Sequence, residues 1–190
     1  MNNKGFTLIE LIAMVVILGI LMLVSVPNIA GIIKNNKEKA VAEDVSRLVN
    51  NAKTKFNIKA AKYPSDNACV VLGLDFIDTN GDIGKGINGG KYLPGESFIV
   101  VRKEMNDKTP DDQSTTYSYK YYVRLVEEAD GEKYEIELVN ADLFYKEPRK
   151  YLKNLAPTVT ADLKNADETQ MNNTINQLGL ACGGVTNIYS

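Results

Sequence analysis

The spacing of apolar residues divides the chain into regions with different periods. From Phe6 to Val26, 17 of 21 residues are apolar, and Glu10 is the single charge. At about 1.5 Å of rise per residue, a helix of that length spans roughly the hydrocarbon core of a bilayer. The run is too long for the apolar region of a cleaved secretory signal, and no small-x-small site follows it, so it predicts an uncleaved membrane helix. Beyond Pro27 the pattern becomes one-sided. Val41, Val45, Leu48, Val49, Ala52, Phe56 and Ala60 fall within about 120° of one helix face. Residues 28–62 are therefore expected to continue the helix as an amphipathic segment, with no further proline before Pro64. Pro27 has no N–H for the carbonyl of Leu23, which predicts either a harmless kink or a segment that can soften.

Period two appears between residues 98 and 139. Phe98–Lys103 is short and apolar, Thr115–Val126 alternates through Tyr119, Tyr121, Val123 and Leu125, and Lys133–Val139 alternates through Tyr134, Ile136 and Leu138. Asp130-Gly131 between the last two predicts a type I′ hairpin. Residues 63–97 read as a loop-rich connection closed by Tyr92-Leu93-Pro94-Gly95. In the tail, Asp162–Leu178 reads as helix and the last twelve residues as loop or edge strand. The expected fold class is α+β: a long N-terminal helix packed by its stripe on a small antiparallel sheet at about 98–139, within a globular head of residues 63–190.

Composition narrows the chemistry. The 190 residues include two cysteines and no histidine. Ser-His-Asp and Cys-His catalysis, His-ligated metals and four-cysteine zinc sites are excluded. The net charge of −2 is unevenly placed: residues 34–62 carry eight Lys or Arg against three acids, and residues 63–190 thirteen against twenty. The basic helix face is open to three readings: a solvated face with Lys55, Lys59 and Lys62 snorkelling beside the stripe, attraction to the acidic head of another subunit, or nucleic-acid binding. No base-stacking aromatics interleave with these lysines, Phe56 being part of the apolar stripe, so no clear nucleic-acid partner is indicated.

Glu10 is out of place in the apolar run, because a carboxylate there costs about 2.5–3.5 kcal/mol on insertion scales. No Lys or Arg lies between Lys4 and Lys34, so no side chain inside the segment is expected to serve it, and a free α-amine created by a cut before Phe6 would be a suitable partner. The residues Gly5-Phe6-Thr7-Leu8-Ile9-Glu10-Leu11-Ile12, with Gly19 and Pro27 further on, resemble the prepilin cleavage and methylation motif of type IV pilins and type II secretion pseudopilins. The resemblance implies a leader of residues 1–5, cleavage between Gly5 and Phe6 by a prepilin peptidase, N-methylation of Phe6, and a mature chain of 185 residues. It implies a transmembrane and assembly helix over residues 6–27, bounded flexibility between Gly19 and Pro27, and pairing of Glu10 with the α-amine of a neighbouring subunit.

The partners so implied are other copies or other pilins, a membrane assembly platform with its ATPase, and the bilayer before assembly. Localisation would be single-pass in the cell membrane and then in an extracellular pilus or the cell envelope. The expected function is that of a structural pilus subunit without enzymatic activity or cofactor. The alternatives are a minor pilin or pseudopilin of a secretion or DNA-uptake machine, and a signal-anchored surface enzyme or adhesin domain. Lys4 alone precedes the apolar run whereas Lys34, Lys37 and Lys39 follow it, against the positive-inside tendency. A processed leader is read by its own peptidase, so the motif sets the expected orientation.

Three further patterns bear on chemistry. Gly84-Lys85-Gly86-Ile87-Asn88-Gly89 satisfies G-x-G-x-x-G, but the Tyr92-Leu93-Pro94-Gly95 that follows cannot open the helix a dinucleotide site requires, which leaves turn glycines. Asp78, Asn80 and Asp82, with Asp75, present oxygen ligands at calcium-like spacing. Ile83 and Gly89 stand where an EF-hand needs glycine and glutamate, so the readings are an irregular calcium site or an Asp/Asn-Gly turn. Cys69 and Cys182 are a disulfide pair or two free thiols.

Overall fold

A computed structural model describes residues 6–58, 67–105, 117–152, 156–160 and 162–188. The chain divides into two compact units, Met1–Lys37 and Glu38–Ser190. Helix α1 runs over Leu8–Ile58; the expected continuation to residue 62 lies outside the described residues. In order there follow β1 (Cys69–Gly73), α2 (Leu74–Ile77), β2 (Lys91–Tyr92), β3 (Phe98–Met105), β4 (Tyr117–Ala129), β5 (Glu132–Asn140), α3 (Ala141–Lys146), α4 (Pro148–Tyr151), a 3₁₀ turn (Leu163–Asn165), α5 (Glu168–Gln177) and β6 (Val185–Ile188). This is an N-terminal helix followed by a mixed, mostly antiparallel sheet, an α+β layout consistent with a type IV pilin-like fold.

The hairpin β4–β5 turns where expected, with Asp130 at φ 53° and Gly131 at φ 81°, the left-handed pair a type I′ turn requires. The sheet is wider than expected. β3 pairs with β4 on one side and β1 on the other, β2 and β5 also pair with β4, and β6 adds in parallel to β1 as an edge strand. The region 63–97 is therefore not merely a connection: it holds β1, α2 and β2. Cys69-Val70-Val71-Leu72-Gly73 is buried at every position, so it shows no alternation to reveal a strand. The expected helix over Asp162–Leu178 is also corrected. Ala166 is extended between the 3₁₀ turn and α5, and α5 starts at a capping box made by Asp167 and Gln170.

Alternate residues of β1 and β3 point into separate cores. Val70, Leu72, Ile99 and Val101 pack with Val41, Val45, Leu48, Val49, Ala52 and Phe56 of α1. Val71, Phe98 and Val100 pack with Leu163, Met171, Ile175, Leu180 and Val185. The sheet is thus covered on both faces, by α1 and by the α5 region. Cys69 and Cys182 form a disulfide with their Cα atoms 5.7 Å apart. Together with Cys69 N–H donating to the Gly184 carbonyl at 2.8 Å, it fixes the approach to β6 against β1.

A buried ion pair secures the opposite end of the second core. Arg124 and Glu135 have fully buried side chains 2.9 Å apart. Arg124 also donates to the carbonyls of Glu96 and Val159, at 3.0 and 2.6 Å. Glu135 accepts from the N–H and hydroxyl of Thr158. Segment 156–160 is held to the sheet by these bonds.

Candidate functional site

The N-terminal unit presents the first candidate. Thr7 precedes α1, and its backbone N–H and hydroxyl both donate to Glu10 Oε2, at 2.9 and 2.8 Å. The N–H groups of Glu10 and Leu11 donate to the Thr7 carbonyl, at 3.1 and 3.2 Å. Glu10 therefore has donors inside its own segment, which corrects the expectation that only an external group could serve it. The expectation considered cations alone, whereas an amide and a hydroxyl are dipolar donors that stabilise a carboxylate without carrying charge. The signal was present as Thr-x-x-Glu, half of a capping box. The carboxylate also lies at the end of the helix where backbone N–H groups concentrate positive potential.

Around this site the apolar side chains are open. Phe6 is 74% exposed, Leu8 78% and Leu23 79%, and the residues between them are exposed too. At Gly19 a Cβ would meet nothing within 4 Å. α1 is assigned continuously through position 27, whose side chain lies outside the described residues, as does Gly5. Among the described residues no helix is long and apolar enough to cross a membrane.

The glycine-rich segment turns on its own backbone. Gly86 N–H donates to the Gly90 carbonyl and Gly89 N–H to that of Gly86. A Cβ on Gly86 would sit 1.3 Å from Glu127 Oε2, and one on Gly84 would sit 2.8 Å from an Asp44 oxygen. These glycines let the backbone close over two buried carboxylates. Glu127 Oε1 accepts from Asn88 N–H at 2.8 Å, and the Asn88 amide also donates to it. Asp44, 2% exposed, accepts from Gly84 N–H and from Arg47 at 2.6 Å. Burial raises the pKa of Asp44 above the usual carboxylate range, against the opposing pull of those two donors. Burial, followed by the charges of Asp44 and Glu127, likewise pushes the Tyr92 hydroxyl far up.

The four residues at calcium-like spacing lie on and beside the same loop, each with a partner within the protein. Asp75 pairs with Lys164 at 2.7 Å. Asp78 accepts from the N–H groups of Asp82 and Ile83, at 2.9 and 3.2 Å, and Asn80 turns its amide toward Asp82 at 3.4 Å. Asp78 thus binds its own backbone while Asp75 and Asp82 meet side chains, and among the described residues no group of three or more acids or cysteines could hold a metal ion.

The cationic face of α1 is partly used within the protein. Lys55 is not simply solvated: it donates to the Phe76 carbonyl and, at 3.3 Å, to the Thr79 hydroxyl. Lys53 stands 5.4 Å from the centre of the Tyr121 ring, and Arg149 reaches Glu38 at 2.9 Å. Lys59 and Lys62 lie outside the described residues.

No curated protein and no solved structure matches the chain. Residues 1–26 do match the family model of the prokaryotic N-terminal methylation motif, and the chain therefore carries at its start the class III prepilin signal of type IV pilins and pseudopilins.

Proposed function

We propose that the chain is a prepilin, cut between Gly5 and Phe6 and methylated on Phe6, whose mature form polymerises through its N-terminal helix into an extracellular type IV pilus. Residues 1–5 act as leader, 6–27 as membrane and assembly helix, 28–62 as its amphipathic continuation, and 63–190 as head. Before assembly the apolar residues face lipid; in the filament they face the same residues of neighbouring subunits, so little apolar surface meets water at either stage. Glu10 then favours the register in which its carboxylate meets the α-amine of a neighbour. Prepilin peptidase, the assembly platform with its ATPase, and other pilins are the partners, and the task is structural rather than catalytic.

One observation carries this reading: a methylation motif at residues 1–26 coincides with a carboxylate held ready at the start of a helix whose apolar side chains from Leu8 to Leu23 are exposed. N-terminal sequencing of protein from cells tests it. A chain beginning with N-methylphenylalanine is expected, and an intact Met1 overturns the proposal. Shearing then separates the roles. A pilus subunit dominates the sheared fraction, whereas a minor pilin or pseudopilin of a secretion or DNA-uptake machine is scarce there.

A further inference from the structure

A cavity of about 400 Å³ opens beside the glycine-rich loop, within the size range of sites for small ligands. Leu74, Ile83 and Tyr92 supply apolar and aromatic wall. Four charged residues also line it: Asp75 and Asp78, Lys85 and Lys91. Their states differ. Asp78 is fixed through both carboxylate oxygens by the N–H groups of Asp82 and Ile83, and Asp75 is fixed through Oδ2 by Lys164. Lys85 and Lys91 are exposed and make no ion pair among the described residues.

This combination selects a class of ligand. Two exposed lysines that make no ion pair among the described residues favour an anionic group. Two anchored carboxylates oppose a second negative charge nearby, yet keep lone pairs that accept from hydroxyls. The apolar wall suits the C–H face of a sugar ring. We propose that this cavity binds a monoanionic saccharide unit of the uronic-acid type. Its carboxylate lies toward Lys85 and Lys91, its hydroxyls donate to Asp75 and Asp78, and its ring lies against Leu74, Ile83 and Tyr92. Every residue of the site belongs to the unit Glu38–Ser190, so binding does not depend on N-terminal processing.

The test is titration of the full chain in detergent with a galacturonate trisaccharide, with neutral maltotriose and with glycerol phosphate, read by calorimetry. Saturable binding of the uronate is expected, at least tenfold tighter than that of maltotriose. The double variant Lys85→Gln/Lys91→Gln should weaken it tenfold or more with an unchanged melting temperature. Lys146→Gln on α3 should leave it unchanged. Three outcomes overturn the proposal: no uronate binding, uronate binding that the double variant retains, or tighter binding of glycerol phosphate, which would assign the site to a phosphate. Concentration-dependent self-association that the double variant abolishes, without uronate binding, would assign the cavity to a second copy of the chain and equally overturn it.

Discussion

Glu10 and Thr7 form a closed local pair in which one carboxylate oxygen accepts both the amide and the hydroxyl of the residue that precedes the helix. Such a pair lowers the cost of holding a carboxylate among apolar residues, and it orients that carboxylate before any neighbour arrives. Thr7→Val keeps the shape and the amide donor but removes the hydroxyl. Processing is expected to proceed normally while incorporation into sheared filaments falls several-fold, less than for Glu10→Ala, which should be processed yet incorporate poorly. Quantitative blots of cell and sheared fractions measure both. Unchanged incorporation of Thr7→Val would show that the amide alone suffices.

Gly86 is required by contact rather than by backbone angle. An added methyl would overlap the carboxylate of Glu127 and approach its Cβ to 2.9 Å, so the side chain would have to leave the position in which it accepts from Asn88. Gly86→Ala should cost about 2–3 kcal/mol, the range for overpacking combined with a lost buried hydrogen bond. Glu127→Ala in the same chain should recover part of that loss, because it removes the obstacle. Denaturant titration of the two variants and their combination measures the coupling.

Among the described residues Arg124 has the largest side chain that is fully buried, and Glu135 is the one charged group among its hydrogen-bond partners there. Arg124→Met leaves Glu135 buried and uncompensated and should cost about 3–5 kcal/mol. Arg124→Met/Glu135→Leu should cost clearly less, since no charge remains inside. The single variant should also raise hydrogen exchange around residues 156–160, whose Thr158 and Val159 the pair holds. An equal loss in the single and double variants would mean that packing, not charge, sets the cost.

What could be read from the sequence follows from where periodicity survives. The stripe from Val41 to Phe56 lies on a half-exposed helix, and Tyr119, Tyr121, Val123 and Leu125 of β4 share the sheet face that packs on it, so each leaves a periodic trace, and Asp130-Gly131 marks the turn into β5. β1 is buried on both faces and leaves none. Arg124 misleads for a related reason: between Val123 and Leu125 it occupies a position that reads as solvent-facing, yet that face of the sheet is covered by the α5 region. The glycines at 84 and 86 imitate a phosphate loop because close backbone approach is needed in either case, here to Asp44 and Glu127. Of the candidate site, Phe6 and Glu10 were legible from the motif. The help Thr7 gives to Glu10 is not legible from charge alone, because its donors are a neutral amide and a hydroxyl.

Asp44 should give the stability of the protein a distinctive pH dependence. Its carboxyl faces Arg47 and Glu43 on its own helix and Gly84 N–H on the loop, and the net effect in the folded state is a pKa raised above its usual 3.8. A carboxyl with a raised pKa binds its proton more tightly in the folded than in the unfolded chain, so it favours the fold at low pH. That advantage is lost as pH rises through the window between the unfolded and folded values. Asp44→Asn keeps an oxygen acceptor for Gly84 and removes the titration. The stability of the wild type relative to Asp44→Asn should therefore decline as pH rises from about 3.5 toward neutrality, in urea titrations at matched ionic strength. A difference that stays flat or grows with pH would mean that the attraction of Arg47 outweighs the burial of the charge.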